Sequence, residues 1–208
     1  DGDAGNRPPT WFDGGMARET TPAREWAEAR PGSGTEHPGE LPDTAYLQIE
    51  RTFCFADLSG FTRFTREHGP LEAVDRLEAF RRESREVAAR RGVRVAKWLG
   101  DGVMMVGTEP TPTIAWAGHV ISHFKDTGVE IRAGLATGIV LLFEGDDYIG
   151  EPVNLAAKLC SVAEPGEILA NCHIDDLPTW MQVLEVEEVD IRGVGPIGGI
   201  QRLGTRTG

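Results

Sequence analysis

The chain has 208 residues and a formal net charge of −12, with 33 acidic against 21 basic side chains. This excess of acid argues against a nucleic-acid-binding protein, because phosphate backbones are bound by basic surfaces. Apolar residues make up 40 % of the chain and charged residues 26 %, the balance of a globular domain with a buried core.

The chain divides by composition into a tail and a domain. Residues 1–45 are rich in Gly, Pro, Glu, Arg and Thr and lack a sustained apolar period, which predicts a flexible tail or linker. Residues 46–208 carry strand and helix patterns, and we expect them to form one domain. Because the first residue is not Met, we expect the chain to be part of a longer protein.

The domain begins with a strand, two helices and a hairpin, and further strands and helices follow. In chain order we expect a strand ending at Asp57, helices at 60–67 and 70–92, a hairpin turning at 100–102, a helix at 113–125, one or two strands at 129–142, a helix at 151–163, a strand at 166–170 and a terminal hairpin at 181–203. Strands and helices alternate without a strict βαβ repeat. We therefore predict an α/β (α+β) sandwich, with helices packed on a mixed, mostly antiparallel sheet.

Three cysteines, Cys54, Cys160 and Cys172, are widely spaced along the chain. They form neither a disulfide framework nor a paired-thiol zinc motif, so the sequence favours a reducing compartment, and we expect a cytoplasmic location. No apolar run reaches the length of a membrane span, and the start of the chain has no secretory pattern.

The first segment with candidate chemistry is FADLSGFT, residues 55–62. A carboxylate at a strand end, here Asp57, can hold a hard cation such as Mg²⁺. The amides of the following turn open a helix, and a helix N-terminus suits a phosphate chain. An aspartate at this place can equally cap the helix, and the segment taken alone favours the cap.

The second segment is KWLGDG, residues 97–102. Asp101 at the hairpin tip can share metal ions with Asp57 if the two strands are neighbours, although Asp-Gly is also the commonest hairpin turn pair. Lys97 interrupts an apolar strand, but lysines within strands usually face solvent. For Trp98 we expect packing in the core or in an interface.

The third segment is DDYIGEPVNLAAK, residues 146–158. Asn154 and Lys158 are four residues apart on the predicted helix and therefore share a face. An amide and a cation side by side can hold a ribose and a phosphate. Each can also be plain helix surface.

In this order and spacing, the three segments resemble the class III adenylate and guanylate cyclase family, from about Tyr46 to Leu203. The resemblance implies the class III cyclase fold with a ferredoxin-like core, and a catalytic domain over residues 46–208. FADLSGFT resembles the first metal motif of the family, with Asp57 as a ligand, and KWLGD resembles the second, with Asp101. The first-motif positions to which the resemblance assigns metal or triphosphate contacts are Leu58, whose carbonyl lies near the metal, and Gly60, Phe61 and Thr62.

The resemblance also implies a substrate. Lys97 and Asp147 occupy the positions that read adenine in this family, and their chemistry agrees, since adenine offers a ring-nitrogen acceptor and an amino donor. A guanine reader needs the opposite polarity, so ATP is favoured over GTP. Arg132 and Arg192 match positions that contact the triphosphate, and Asn154 matches the residue that orients the ribose.

One position departs from the family pattern. Four residues after the Asn the family places an arginine that stabilises charge on the α-phosphate, and this chain has Lys158. The positive charge is kept but the planar two-pronged donor is lost. Charge-stabilising arginines in phosphoryl transfer are worth about 10³-fold or more in rate. We therefore expect low turnover. An inactive regulatory cyclase-homology domain is the alternative, and a guanylate cyclase is the second alternative.

By the same resemblance the active site belongs to a homodimer and holds two divalent metal ions, Mg²⁺ or Mn²⁺. In this family one subunit supplies the metal ligands and its partner supplies the base readers and the ribose contact. The residues expected from one subunit are Asp57, Asp101 and Arg132, and those expected from the other are Lys97, Asp147, Asn154, Lys158 and Arg192.

Overall fold

A computed structural model describes residues 47–143, 147–173 and 177–206 of the chain. The predicted tail over residues 1–45 lies outside these described residues, and so does Asp146. The elements are β1 (Leu47–Ser59), α1 (Phe61–His68), α2 (Pro70–Arg91), β2 (Arg94–Leu99), β3 (Gly102–Gly107), α3 (Pro110–Phe124), β4 (Glu130–Phe143), β5 (Asp147–Ile149), α4 (Glu151–Val162), β6 (Ile168–Asn171), β7 (Met181–Ile191) and β8 (Gly195–Thr205).

The described strands form a single sheet in the order β2-β3-β1-β4-β6-β8-β7, with β5 paired to β4. Among these strands, β4 and β6 run parallel to each other and the remaining pairs are antiparallel. The predicted mixed, mostly antiparallel sheet with helices packed on it is therefore confirmed. Strand β1 lies between β3 and β4, so the end of β1 has a neighbouring strand on each side.

The two faces of the sheet carry different helices. Cys54, Ala56 and Leu58 of β1 belong to the main hydrophobic core, together with buried residues of α2 and α3. Because side chains alternate along a strand, Phe55 and Asp57 point to the opposite face, where α4 packs against β1 and β4. These two faces are called the α2 face and the α4 face below.

Helix α4 lies unusually close to β4, and two glycines make this possible. A Cβ atom added at Gly134 would lie 2.1 Å from the amide nitrogen of Cys160 and 2.3 Å from the carbonyl oxygen of Ala156, both in α4. At Gly138 the added atom would lie 2.7 Å from the ring of Pro152. The backbone of α4 is therefore seated directly on β4, with no side chain between them at Gly134.

The structure corrects several predicted boundaries. Strand β1 runs two residues past Asp57 and ends at Ser59. Helix α3 begins at Pro110 instead of residue 113, because proline is tolerated in the first turn of a helix. Residues 130–143 form one long strand, and β5 was not predicted as a strand. Within the described residues, no helix combines the length and the apolar character needed to cross a membrane.

We expect Gly134→Ala to lower the free energy of unfolding by about 1–3 kcal/mol or more, because its Cβ meets backbone atoms that cannot move aside. Urea denaturation of the purified protein measures this change. Gly198→Ala is the matched control, since nothing among the described residues lies within 4 Å of its added Cβ. Equal losses for the two variants would contradict the tight contact between α4 and β4.

Candidate active site

Asp57 is a buried carboxylate near the end of the central strand β1. It pairs across the sheet with Gly102 of β3 on one side and with Arg132 of β4 on the other, and it is 4 % exposed. Arg132 Nη2 donates a hydrogen bond of 3.1 Å to Asp57 Oδ2. Helix α1 has Gly60 at its N-cap and no side-chain cap within the described structure, so the capping alternative for Asp57 is wrong.

Asp101 lies beside Asp57, in the tight turn between β2 and β3. The turn consists of Gly100 and Asp101, and Gly100 has a φ of 65°, which favours glycine. The amide of Leu58 donates to the carbonyl of Asp101 at 3.4 Å, so the turn is joined to the end of β1. The condition for a shared metal site, that the two strands be neighbours, is met through β3, which pairs with both β1 and β2.

The two carboxylates affect each other's ionisation. Burial, and after it the negative charge of Asp57, raise the pKa of Asp101 to about 6. Burial also raises the pKa of Asp57, but Arg132 opposes this shift through its charge and its hydrogen bond. Two crowded carboxylates with raised pKa values gain most from a cation that both can bind.

The carboxylate pair fits a hard divalent cation. Asp57 Oδ1 is buried and has no hydrogen-bond partner among the described residues. A Cβ at Gly102 would lie 3.4 Å from this oxygen, so the glycine leaves space beside it. No group of three or more His, Cys, Asp and Glu side chains in the described ranges is placed to hold a metal. A two-carboxylate site suits Mg²⁺, which keeps several waters and binds substrate phosphates together with one or two carboxylates.

Lys97 and Asp147 form an ion pair between β2 and β5, with both side chains about half exposed. A β-bulge between Val95 and Lys97 decides where the lysine points. Val95 packs on the α2 face, and strict alternation would place Lys97 on that same face. The bulge shifts the register, so Lys97 pairs with Met104 and points to the α4 face, as Asp57 does.

Strand β5 folds back over the sheet and brings Asp147 to Lys97. The ring of Tyr148 in β5 meets Phe53 of β1 edge to face, with 5.2 Å between ring centroids. Arg94 of β2 donates a hydrogen bond of 2.8 Å to the Tyr148 hydroxyl and also lies over its ring. Sequence reasoning did not assign a role to Tyr148 or Arg94, although both hold β5 in place.

Helix α4 carries the remaining predicted residues. Asn154 is exposed near its start, and the Nζ atom of Lys158 donates a hydrogen bond of 3.1 Å to the backbone carbonyl of Arg192. The side chain of Arg192 is exposed. Arg132 Nη1 donates to the carbonyl of Ser161 at 3.1 Å, so the C-terminal end of α4 is the end that lies near Asp57.

Helix α1 begins directly after Gly60, in the segment where the first motif predicts a helix N-terminus suited to a phosphate chain. Gly60 adopts a φ of 73°, and its carbonyl accepts the first helical hydrogen bond, from the Phe64 amide at 2.9 Å. Phe61 packs partly into the core, whereas Thr62 is exposed. The described part of the chain supplies no side-chain cap here, and the phosphate contact expected at this helix N-terminus stays a prediction.

Within a single chain, Asn154 lies apart from the carboxylate pair. Asp57, Asp101 and Arg132 lie at the C-terminal end of α4, whereas Asn154 lies near its N-terminal end. Seven residues of helix separate Asn154 from Ser161, which is about 10 Å along the axis at 1.5 Å per residue. One chain therefore holds Asn154 and Asp57 near opposite ends of α4.

The family of adenylate and guanylate cyclase catalytic domains matches residues 47–199 of the chain. The chain belongs to this family. An uncharacterized protein of Mycobacterium tuberculosis is 41 % identical to this cyclase domain over 149 residues, which cover 70 % of the chain and 39 % of that protein. An adenylate cyclase of Streptomyces coelicolor is 36 % identical over 119 residues, covering 56 % of the chain and 31 % of that protein. The chain thus spans well under half the length of these relatives.

Solved structures show the same fold. The adenylyl cyclase CyaB from P. aeruginosa superposes with a TM-score of 0.59 at 23 % identity, covering 78 % of this chain and 96 % of that one. The guanylyl cyclase Cya2 superposes with a TM-score of 0.65 at 20 % identity, covering 77 % of this chain and 95 % of that one. The class III cyclase fold implied by the sequence motifs is confirmed.

We expect Asp101→Asn to raise the melting temperature of the metal-free cyclase domain at pH 8. The pKa of Asp101 is raised from 3.8 to about 6, so above pH 6 the folded protein holds a carboxylate that would ionise more easily in the unfolded chain. This destabilisation of the wild-type protein becomes smaller as the pH falls through 6 towards 4. The rise in melting temperature caused by Asp101→Asn should therefore become smaller over the same range.

Thermal unfolding in EDTA at pH 8 and at pH 5 measures this difference. The control is Asp75→Asn at an exposed position on α2, and its melting temperature should equal that of wild type at both pH values. An Asp101→Asn protein less stable than wild type at pH 8 would contradict the strained carboxylate pair.

Proposed function

We propose that this domain is an adenylate cyclase, which forms 3′,5′-cyclic AMP and pyrophosphate from ATP at a site shared by two copies of the chain. The observation that carries the proposal is the convergence of Asp57 and Asp101, with one buried carboxylate oxygen left without a hydrogen bond in the described structure. The family membership and the Streptomyces coelicolor relative named an adenylate cyclase support it.

The carboxylate pair positions the reacting end of the substrate. Two divalent ions, Mg²⁺ or Mn²⁺, held by Asp57, Asp101 and the Leu58 carbonyl would activate the ribose 3′-hydroxyl and neutralise the triphosphate. The amides at the start of α1, from Gly60 to Thr62, bind phosphate oxygens. The 3′-oxygen bonds to the α-phosphorus as the bond to pyrophosphate breaks, so catalysis is mainly positioning and charge stabilisation.

Lys97 and Asp147 support adenine as the base. The Lys97 ammonium donates to a ring nitrogen of adenine, and the Asp147 carboxylate accepts from its amino group. In the free chain their ion pair holds both groups at one place. When adenine binds, two hydrogen bonds to the base replace this ion pair. Guanine presents an N–H donor and a carbonyl at the corresponding edge, which this pair matches poorly.

The separation of Asn154 from the carboxylate pair supports a homodimer. Asn154 lies about 10 Å along α4 from the helix end that contacts Arg132, so one chain presents the metal ligands and the ribose contact at different places. In a two-fold dimer, Asp57, Asp101 and Arg132 of one copy face Lys97, Asp147, Asn154, Lys158 and Arg192 of the other. A single copy is then inactive.

Lys158 is the observation that favours a second candidate, a cyclase-homology domain that binds nucleotide and regulates without catalysis. Its ammonium contacts the Arg192 carbonyl and offers a point charge in place of a guanidinium fork. A guanylate cyclase remains the third candidate, and the polarity of Lys97 and Asp147 disfavours it.

We expect the purified protein to make cyclic AMP from ATP faster than cyclic GMP from GTP, with Mn²⁺ or Mg²⁺ present. Asp57→Ala and Asp101→Ala should each reduce turnover by about 100-fold or more, because each removes a ligand of the charge-stabilising ions. Product chromatography measures the rates, and the exposed Asp75→Ala should leave them unchanged.

Circular dichroism of each variant separates loss of a ligand from loss of fold. Nucleotide binding without product from either nucleotide would favour the regulatory candidate. A higher rate with GTP would favour the guanylate cyclase.

We expect Lys158→Arg to raise kcat by about tenfold or more, because a guanidinium can donate two hydrogen bonds to the α-phosphate in the transition state. Lys158→Gln, which removes the charge, should lower kcat. Initial rates at saturating ATP measure both. If Lys158→Gln matched the wild type, the charge at this position would have no part in the reaction.

A further inference from the structure

The hairpin that carries Asp101 is held from the opposite side of the sheet by two arginines of α2. Trp98 of β2 lies on the α2 face, where the edge of its ring meets Phe80 with 6.3 Å between centroids. The guanidinium carbons of Arg81 and Arg85 lie 5.2 Å and 5.0 Å from the Trp98 ring centroid. Both distances are in the range of a cation–π interaction.

Arg81 makes a second contact that Arg85 does not make in the described structure. Arg81 Nη2 donates a hydrogen bond of 3.1 Å to the carbonyl of Gly100, the residue that precedes Asp101. Arg81 therefore contacts the hairpin at two points, the ring of Trp98 and the first peptide of the turn. A planar guanidinium can make both contacts at once, because it stacks with its face and donates with its edge.

The turn needs such a restraint. Gly100 has no side chain and a φ of 65°, so the peptide between Gly100 and Asp101 has more rotational freedom than one between ordinary residues. The hydrogen bond from the Leu58 amide to the Asp101 carbonyl is 3.4 Å long, beyond the usual range for N–H···O bonds.

We propose that Arg81 is a positioning residue, which fixes the Gly100 carbonyl and thereby holds the Asp101 carboxylate beside Asp57 for metal binding. Groups that orient metal ligands commonly change metal affinity by about 10- to 100-fold when they are removed. Trp98 gives Arg81 its fixed position, and Arg85 contributes packing on the same ring. This inference rests on the proposed role of Asp101 as a metal ligand.

The test compares Arg81→Met with Arg85→Met in the full chain. Each removes one guanidinium from the Trp98 ring and keeps an apolar stem, but only the first removes the hydrogen bond to Gly100. Mn²⁺ binding is measured by electron paramagnetic resonance in the presence of a non-cyclisable ATP analogue. We expect the Mn²⁺ dissociation constant to rise about tenfold for Arg81→Met and to change little for Arg85→Met.

Hydrogen–deuterium exchange of the amides at residues 99–103 provides a readout that needs neither metal nor activity. We expect it to become about tenfold faster in Arg81→Met and to stay near wild type in Arg85→Met. Arg81→Lys keeps a cation and a donor, so it should recover part of the Mn²⁺ affinity. If Arg81→Met did not fold, Arg81→Lys would have to bind Mn²⁺ more weakly than wild type and show faster exchange of these amides, and wild-type values in both measurements would overturn the proposal.

The outcomes separate this inference from the proposed function. If the wild-type protein binds Mn²⁺ and the two variants, Arg81→Met and Arg85→Met, have equal Mn²⁺ affinities, the positioning role is overturned. The proposed metal site is then unaffected. A wild-type protein that binds no Mn²⁺ would overturn the metal role of Asp101, and with it this purpose for Arg81. Unchanged exchange in Arg81→Met would overturn the restraint of the turn itself.

Discussion

The rest of this structure depends on how the buried carboxylate of Asp57 is compensated. A carboxylate taken out of water needs a cation or hydrogen-bond donors, and the pairing of β1 with β4 places Arg132 directly opposite. Arg132 donates to one carboxylate oxygen, while the other has no partner in the described residues. Strand β3 then brings the turn that contains Asp101 against the end of β1. Arg132 thus compensates one oxygen of Asp57, and the second oxygen is the atom to which we assign the proposed metal.

Much of the fold and part of the site could be predicted from the sequence. Local patterns were sufficient to predict a strand that includes Asp57 and a tight turn that includes Asp101. The pairing of β3 with β1, which brings the two aspartates together, is a long-range feature that these patterns left open. The direction of Lys97 could not be predicted in this way. It depends on a bulge in β2, and a bulge follows from pairing with β3 rather than from any residue type.

The contacts that support the site from neighbouring elements also could not be predicted from the sequence. Arg81 lies on a helix among many arginines, and nothing in its spacing marks it as the one that reaches Gly100. Tyr148 belongs to a three-residue strand too short to show alternation, yet it anchors β5 against Phe53. Both arise from long-range packing between segments that are 19 residues or more apart, which local patterns do not encode.

The contact of α4 with β4 at Gly134 has a mechanical consequence. A helix whose main chain rests on a strand without intervening side chains cannot slide or roll on it without steric collision. Asn154 and Arg132 therefore travel as parts of one stiff body. A regulatory signal that moves α4 must therefore move β4 with it, because the backbone contact at Gly134 prevents relative motion of these two elements.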